Sequence, residues 1–164
     1  MPVPDPIGPG QESVWDYPRP PRLEREVAPL RIVHRGLVVA ATDAGLRTLE
    51  TSHPPTYYFP PDSITPGLLH PASQGGSFCE WKGRALYWDV VIGDERLAGV
   101  GWSYPAPTAA FAAPKDHIAF YAAPFEAVFV GDEQARPQPG GFYGGWITSK
   151  VAGPFKGGPG SQFW

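Results

Sequence analysis

The chain has 164 residues, which is enough for one domain with a buried core and too few for two ordinary domains. Its 13 basic and 16 acidic residues give a net charge of −3, and no stretch concentrates the basic side chains. This balance predicts that neither nucleic acid nor an anionic membrane is a partner. The 20 glycines and 22 prolines gather towards the two ends, which predicts a globular middle between irregular arms.

Cysteine usage and the first residues indicate the cellular compartment. Cys79 is the only cysteine, so the chain can form no internal disulfide and no multi-cysteine zinc site. The start lacks the basic and apolar regions of a signal peptide, and no apolar run approaches the roughly 20 residues of a membrane helix. The four histidines lack the spacing of a metal site. We therefore expect a cytoplasmic protein with no metal ion and no cofactor.

Two arms rich in proline or glycine flank the predicted domain. Residues 1–26 carry seven prolines, which remove backbone donors and prevent a continuous helix or a central strand. Val14, Trp15 and Tyr17 nevertheless lie in this arm, and such an apolar cluster is expected to dock on the body or on a second subunit. Residues 135–164 place paired glycines around aromatic side chains and predict a second arm that lies over a surface.

The middle of the chain, residues 27–134, predicts a mainly β domain of about eight short, mostly antiparallel strands. Residues 27–41 are rich in β-branched side chains and break at Arg35-Gly36, which predicts a hairpin. Residues 42–50 are predicted to be irregular, because a glycine interrupts their pattern. Further short strands are predicted at residues 56–60, 68–69, 117–121 and 125–130.

A central hairpin is expected to organise this domain. Residues 84–92 and 95–102 flank Gly93-Asp94, a glycine-first pair that suits a two-residue type II′ turn. Such a turn sets a register in which Trp88 lies opposite Gly99, where the ring would fill the space above the glycine.

Aromatic side chains on neighbouring predicted strands are the strongest functional signal. Tyrosine and tryptophan carry polar atoms that need partners when buried, and so many can seldom all be satisfied inside a core. The sequence therefore predicts either a core alone or a core with an aromatic pocket, in which Tyr58 and Trp102 are partly exposed. The candidate ligand-binding residues are Tyr58, Lys82, Tyr87, Trp102, Tyr104 and Tyr121, with Lys82 as a polar contact at the rim.

Four of these stretches carry a resemblance to a known family. The segments TYYFP with Asp62, CEWKGRALYW, GWSYPAP and HIAFY resemble, in order and spacing, successive motifs of the domain of unknown function 427 family over about residues 28–133. The resemblance implies a β-tent-like fold, related to that of the cereblon drug-binding domain, and no established activity. The family is also catalogued as nucleotidyltransferase-like, but this chain has no G-S motif followed by paired aspartates. Many β-tent relatives bind zinc through two CxxC pairs, which one cysteine cannot supply.

The sequence leaves three functional hypotheses open. The first is a β domain whose aromatic pocket binds an unknown small molecule, with no assigned reaction. The second is an enzyme that acts on a nucleotide or carbohydrate through Lys82 and a carboxylate such as Glu80 or Asp89. The third is a protein-interaction module that binds through its aromatic arms. The apolar residues of the arms also predict a homodimer in which two subunits exchange residues 1–26 and 135–164.

Overall fold

Short β-strands form most of the regular structure. The structure is a computed structural model that describes residues 1–72, 77–79, 83–108 and 115–164. Two 3-10 turns, Val14–Asp16 and Pro61–Ser63, lie in these ranges, where no helix is long and apolar enough to cross a membrane. The strands are β1 (Glu12–Ser13), β2 (Arg22–Arg25), β3 (Leu30–His34), β4 (Leu37–Thr42), β5 (Leu46–Leu49), β6 (Thr56–Phe59), β7 (Leu69–Pro71), β8 (Ser77–Cys79), β9 (Gly83–Ile92), β10 (Glu95–Ser103), β11 (Ile118–Phe120), β12 (Ala127–Val130), β13 (Glu133–Gln134), β14 (Arg136–Pro137), β15 (Trp146–Ile147) and β16 (Val151–Ala152).

Two antiparallel sheets contribute the side chains of the principal core. The larger sheet has the order β2-β5-β6-β11-β10-β9-β7, with β8 paired to β9, and the smaller has the order β13-β12-β3-β4. Ile32 and Val128 of the smaller sheet are buried with Phe59, Val90 and Phe120 of the larger one. In the described part of the chain no sheet closes into a barrel. The predicted mainly β, antiparallel fold is confirmed, and the β-tent arrangement stays a prediction.

The predicted hairpin at Arg35-Gly36 and the predicted two-residue turn at Gly93-Asp94 are both present. Arg35 and Gly36 connect β3 to β4 with φ of 51° and 75°, and two positive φ values are typical of a type I′ turn. Gly93 connects β9 to β10 with φ of 59°, as the first position of a type II′ turn requires. The predicted strand at residues 56–60 forms β6, which is short, as its flanking prolines require, but lies inside the larger sheet.

The predicted register of β9 and β10 is correct only near the turn. The first three pairs form as expected, but a bulge then shifts the register, and Gly101 rather than Gly99 lies opposite Trp88. Gly99 has φ of +63°, and a Cβ placed there meets no atom of the described residues within 4 Å. A Cβ on Gly101 would instead approach the Phe120 ring to 3.0 Å. The prediction was wrong because sequence alone does not distinguish a bulge glycine from one covered by a ring.

Residues 42–50 are more regular than predicted. They contain β5, which pairs with β2 on one side and with β6 on the other. Thr48 and Leu49 are buried there. The N-terminal arm supplies β2 as an edge strand, which its neighbouring prolines permit. A strand flanked on both sides is stabilised by pairing and burial that a glycine-interrupted local pattern does not reveal.

Both arms pack against the body of their own chain. Val14 of the N-terminal arm and Trp146 of the C-terminal arm are completely buried. Trp146 belongs to the principal core, and its Nε1–H donates a hydrogen bond of 2.9 Å to the carbonyl oxygen of Phe120. Trp15 donates its Nε1–H to the carbonyl oxygen of Pro154 at 2.9 Å, which joins the two arms. The C-terminal arm is therefore part of the folded core.

The packing of the arms bears on the expected homodimer. That expectation assumed that the arms would leave a large apolar surface uncovered, and the chain itself covers much of it. Phe142 and Phe163 remain 75% and 88% exposed. The homodimer stays a prediction, and these two rings are the aromatic side chains of the arms that most need a cover.

Candidate functional site

A row of aligned side chains crosses five strands of the larger sheet. Leu46 of β5 lies opposite Tyr58 of β6, which lies opposite Ala119 of β11. Ala119 in turn lies opposite Trp102 of β10, and Trp102 lies opposite Tyr87 of β9. Directly opposed residues of neighbouring strands share one face of a sheet and contact each other. Three of the predicted ligand-binding rings are thus held in one row.

Two more predicted residues complete this aromatic cluster. Tyr104 is buried within it, and Tyr121 packs against it with its ring centroid 4.8 Å from that of Trp102. The structure therefore brings together five of the six candidate residues, and Lys82 lies outside the described residues. Tyr58 is 0% exposed and Trp102 is 9% exposed, so the expectation that both rings would be partly exposed is wrong. The other side chains of the cluster and the backbone of Gly144 cover them more fully than the sequence indicated.

A cavity of about 540 Å³ lies beside the aromatic cluster. Its described lining comes from three parts of the chain: Gly99 in β10, residues 121–124 after β11, and residues 137–145 of the C-terminal arm except Phe142. The volume lies within the range of small-molecule sites, about 300 to 1,000 Å³. The lining side chains are those of alanine, proline, tyrosine and one glutamine, together with bare glycine backbone.

Tyr121 and Gly144 connect the cavity to the cluster. Tyr121 lines the cavity and contacts the Trp102 ring. A Cβ built on Gly144 would overlap the outer edge of the same ring, so the backbone of the C-terminal arm lies directly against Trp102. For a molecule bound in the cavity, contact with the aromatic cluster would therefore be made through Tyr121 and Gly144, which lie between the cavity and the Trp102 ring. Such a molecule would not touch Tyr58.

The bulge in β10 forms one wall of the cavity and is held by a buried carboxylate. Asp89 accepts the backbone N–H of Gly99 at its Oδ1 and the Nε–H of Arg96 at its Oδ2, both at 2.7 Å. The Gly99 hydrogen bond, aided by Arg96, holds the pKa of the Asp89 carboxyl below its ordinary value although burial opposes this. The bulge also turns Val100 into the principal core, whereas a regular strand would place it on the same face as Trp102.

The same geometry bears on the enzymatic hypothesis. Both oxygens of Asp89 already accept hydrogen bonds, so its contacts are those of a structural anchor for the bulge. The other residues proposed for acid–base chemistry, Glu80 and Lys82, lie outside the described residues. Where the structure describes the chain, no three histidine, cysteine or acidic residues are grouped as metal ligands.

Gln138 holds the opposite wall with a set of hydrogen bonds. Its backbone N–H donates to the carbonyl oxygen of Gly145, and the N–H of Gly145 donates to its Oε1, both at 3.0 Å. Its Nε2 donates to the carbonyl oxygen of Lys156 at 2.9 Å and lies 3.0 Å from Nδ1 of His53. The His53 ring packs edge-on against the Tyr143 ring, with 4.7 Å between the centroids. These contacts fix the glutamine at the base of the loop.

A short loop between two buried residues forms part of the cavity lining. It runs from Gln138 to Trp146, which are 3% and 0% exposed. The Tyr121 hydroxyl donates a hydrogen bond of 3.1 Å to the carbonyl oxygen of Phe142 in this loop. Burial raises the pKa of the Tyr121 hydroxyl, which keeps it protonated as a donor. Tyr121 thus joins the sheet to the loop.

The comparison with known families identifies the body of the chain. Residues 22–131 match the family described as domain of unknown function (DUF427). The chain belongs to this family. The resemblance seen in the sequence motifs is thereby confirmed. No curated protein matches the chain.

The cavity extends beyond the part of the chain that matches DUF427. Eight of its thirteen described lining residues lie at 137–145, after the matched region ends at residue 131. Sequence reasoning missed Gly99, Gln138 and Tyr143 because it treated the C-terminal segment as an arm and Gly99 as a strand residue. The paired glycines around Phe142 and Tyr143 were the available signal that this backbone packs closely on a surface.

Proposed function

We propose that this protein binds a small uncharged molecule in the cavity between the β10 bulge and the loop 139–145. The observation that carries the proposal is the cavity of about 540 Å³ with two tyrosines, Tyr121 and Tyr143, in its lining. Binding sites for small molecules are concave, mostly apolar, and supplied with a few polar groups that fix orientation. The lining of this cavity has that composition.

The charge of the lining supports an uncharged ligand. None of the thirteen described lining residues is acidic, basic or a histidine. A charged group buried without a partner of opposite charge loses its hydration without compensation and is strongly disfavoured. A neutral molecule loses less, and its flat faces can pack against tyrosine and proline rings.

The aromatic cluster packs behind two residues of the cavity lining and holds them in position. Tyr58, Tyr87 and Tyr104 do not line the cavity but hold Trp102 in place, and Trp102 supports Tyr121 and Gly144. Binding residues held by a packed second layer lose less conformational freedom when the ligand binds. In this proposal Tyr121 contacts the ligand and the other rings of the cluster are positioning residues.

A second candidate function is a contact with another protein through the C-terminal arm. The observation that favours it is the exposure of Phe142, at 75%, on the same loop that lines the cavity. An exposed aromatic ring can anchor an interface, although a single exposed ring is also common on protein surfaces. The homodimer expected from the sequence is one form of this second candidate.

The experiment that tests ligand binding is a thermal-shift screen of uncharged metabolites against the native chain and two variants. Ala123→Phe places a ring at the cavity, because Ala123 is an exposed residue of its lining. Ala41→Phe adds the same ring at an exposed position of β4, away from the cavity lining, and is the matched control. We expect compounds that stabilise the native chain and Ala41→Phe but not Ala123→Phe. Stabilisation that survives in Ala123→Phe would contradict the proposed site.

A further inference from the structure

The ring of His53 contacts two residues that line the cavity. Nδ1 of the ring lies 3.0 Å from Nε2 of Gln138, and the Tyr143 ring packs edge-on against it with 4.7 Å between the centroids. Gln138 and Tyr143 line the cavity, whereas His53 lies behind them, 9% exposed and outside the described lining. A change in the state of this ring therefore reaches the lining directly.

The hydrogen bonds of Gln138 fix the orientation of its side-chain amide. The backbone N–H of Gly145 donates to Oε1, and Nε2 donates to the carbonyl oxygen of Lys156. A backbone N–H can only donate and a carbonyl oxygen can only accept, so a flipped amide would lose both hydrogen bonds. Gln138 therefore presents an N–H to His53 rather than its oxygen.

This orientation requires a neutral His53 ring. Nδ1 must accept the N–H of Gln138 and so carries no proton, which leaves the ring proton on Nε2. Nε2 lies 3.7 Å from the Glu50 carboxylate, an arrangement that suits a nitrogen bearing a proton. A second proton would enter at Nδ1, and a ring with both nitrogens protonated has only donors to offer. Two N–H groups would then face each other between His53 and Gln138.

The charged groups around His53 decide which of its contacts survives protonation. The Glu50 carboxylate attracts the charged ring and holds its Nε2 side, because the two groups then form an ion pair. The Lys156 ammonium lies over the neighbouring Tyr143 ring, 5.6 Å from its centroid, and has the same sign as the charged histidine. The contact that protonation breaks is therefore the one with Gln138.

Gln138 carries the effect into the wall of the cavity. Its backbone N–H donates to the carbonyl oxygen of Gly145 and its Oε1 accepts the N–H of Gly145, so it ties the two ends of the loop 139–145 together. This loop supplies most of the described lining. A buried N–H that faces another donor is strongly disfavoured, so the Gln138 amide withdraws from a protonated His53. The loop is then held less firmly at its base.

We propose that His53 is a pH sensor of the cavity: its neutral ring holds Gln138 and the loop 139–145 in the binding arrangement, and its doubly protonated ring releases them. This inference rests on the proposed function, since it names how that site is regulated. The binding arrangement carries one proton fewer than the released one. Ligand affinity is therefore greatest where His53 is neutral and falls as the pH falls.

NMR of the isotope-labelled full chain tests the switch without a ligand. The ring nitrogens of His53, the carboxamide of Gln138 and the amide of Gly145 are followed from about pH 8 to about pH 5, where histidine changes charge. We expect Nδ1 to be unprotonated at the upper pH and all three groups to change together as the pH falls. A ring that stays neutral throughout, or a carboxamide and an amide that do not follow it, would overturn the switch.

A flat, uncharged probe then tests the effect on binding. Indole is titrated at millimolar concentration at about pH 7.5 and about pH 5.5, and the amides of Gly99 and Gly145 report its affinity. We expect indole to bind about fivefold more weakly at the lower pH, the size of one net hydrogen bond.

Two asparagine variants assign this pH dependence to its residue. His53→Asn keeps a side-chain oxygen that can accept from Gln138 but takes up no proton, so the difference in affinity between the two pH values should disappear. His34→Asn is the matched control, because Nδ1 of His34 also accepts an N–H, that of Glu126 at 3.0 Å, outside the described cavity lining. The control should keep the fivefold difference. If His53→Asn does not fold, the ring and carboxamide signals of the native chain decide.

The outcomes separate the switch from the binding proposal. Indole affinity that is independent of pH in the native chain, or a pH dependence that persists in His53→Asn, would overturn the switch while the cavity site stands. If no compound of the uncharged screen, indole included, shifts Gly99 and Gly145 at neutral pH, the proposed function fails. The switch then fails with it, even where His53 and Gln138 respond to pH together.

Discussion

Replacement of Asp89 tests whether a buried carboxylate holds the β10 bulge. In Asp89→Ala the partly buried N–H of Gly99 loses its acceptor, and a donor left unpaired in a fully buried site would cost about 1 to 3 kcal/mol. The lost contact with Arg96 adds less than about 1 kcal/mol, because that side chain is 53% exposed. We expect the free energy of unfolding to fall by about 1 to 3 kcal/mol, because the Gly99 N–H is only partly buried. Asp89→Asn keeps a carbonyl oxygen for Gly99 and should lose only about 1 kcal/mol.

Urea unfolding at neutral pH, followed by tryptophan fluorescence, measures these losses. Asp94→Ala is the matched control, because Asp94 lies in the turn of the same hairpin and its side chain is 96% exposed. The control should change the unfolding free energy by no more than about 0.5 kcal/mol. If Asp89→Ala lowers the unfolding free energy no more than Asp94→Ala does, the Asp89 carboxylate does not hold the bulge. Equal losses in Asp89→Ala and Asp89→Asn would show that acceptance of the Gly99 N–H is unimportant.

The pH dependence of the same variants gives a second check. The folded-state pKa of Asp89 lies below the ordinary value of 3.8, so the unfolded chain takes up this proton first as pH falls. The stabilisation by the ionised carboxylate is therefore complete well above pH 3.8 and is lost as pH falls through the lower, folded-state pKa. We expect the stability difference between the native chain and Asp89→Asn to shrink in that acidic range. A stability difference between the native chain and Asp89→Asn that stays constant across this acidic range would contradict the lowered pKa of Asp89.

Three further predictions concern the backbone, the metal content and the assembly. Gly99→Val should lower the free energy of unfolding by about 1 to 2 kcal/mol, because valine is strained at the positive φ of Gly99, and Gly99→Asn should lower it by less, because asparagine tolerates that region. Equal losses of unfolding free energy in the two variants, measured in urea, would contradict backbone strain. Purified protein should carry no stoichiometric zinc by elemental analysis, and EDTA should leave Tm unchanged, because Cys79 is the only thiol. Light scattering should detect a homodimer that dissociates more readily in the double variant Phe142→Ser and Phe163→Ser. A monomeric native chain would refute the dimer, and a dimer unaffected by the double variant would refute these two rings as its contact.

Removal of the whole C-terminal arm is not a clean test of assembly. The side chain of Trp146 is completely buried in the principal core, and its Nε1–H donates a hydrogen bond to the carbonyl oxygen of Phe120. Loss of residues 135–164 would leave that space empty, and loss of a large core side chain typically costs about 3 to 5 kcal/mol. A truncated chain that fails to assemble would therefore report unfolding as readily as a lost contact. The exposed rings are the better targets.

The local sequence was sufficient to identify the β fold and most of the aromatic cluster. Runs rich in β-branched and aromatic residues predict strands, and Arg35-Gly36 and Gly93-Asp94 predict turns, because these signals act within a few residues. The predicted hairpin register placed Tyr87 and Trp102 on one face, and a shift of two residues in register preserves the face.

The tertiary structure alone decided where the cavity lies and what lines it. Gly99 enters a bulge because Asp89, ten residues away, accepts its N–H, and Gln138 becomes a wall residue because Gly145, Lys156 and His53 surround its amide. These partners are distant in sequence or lie in loops without a periodic pattern. Their effect on φ and on side-chain orientation arises when the arms pack against the sheet, so no local pattern of residues encodes it.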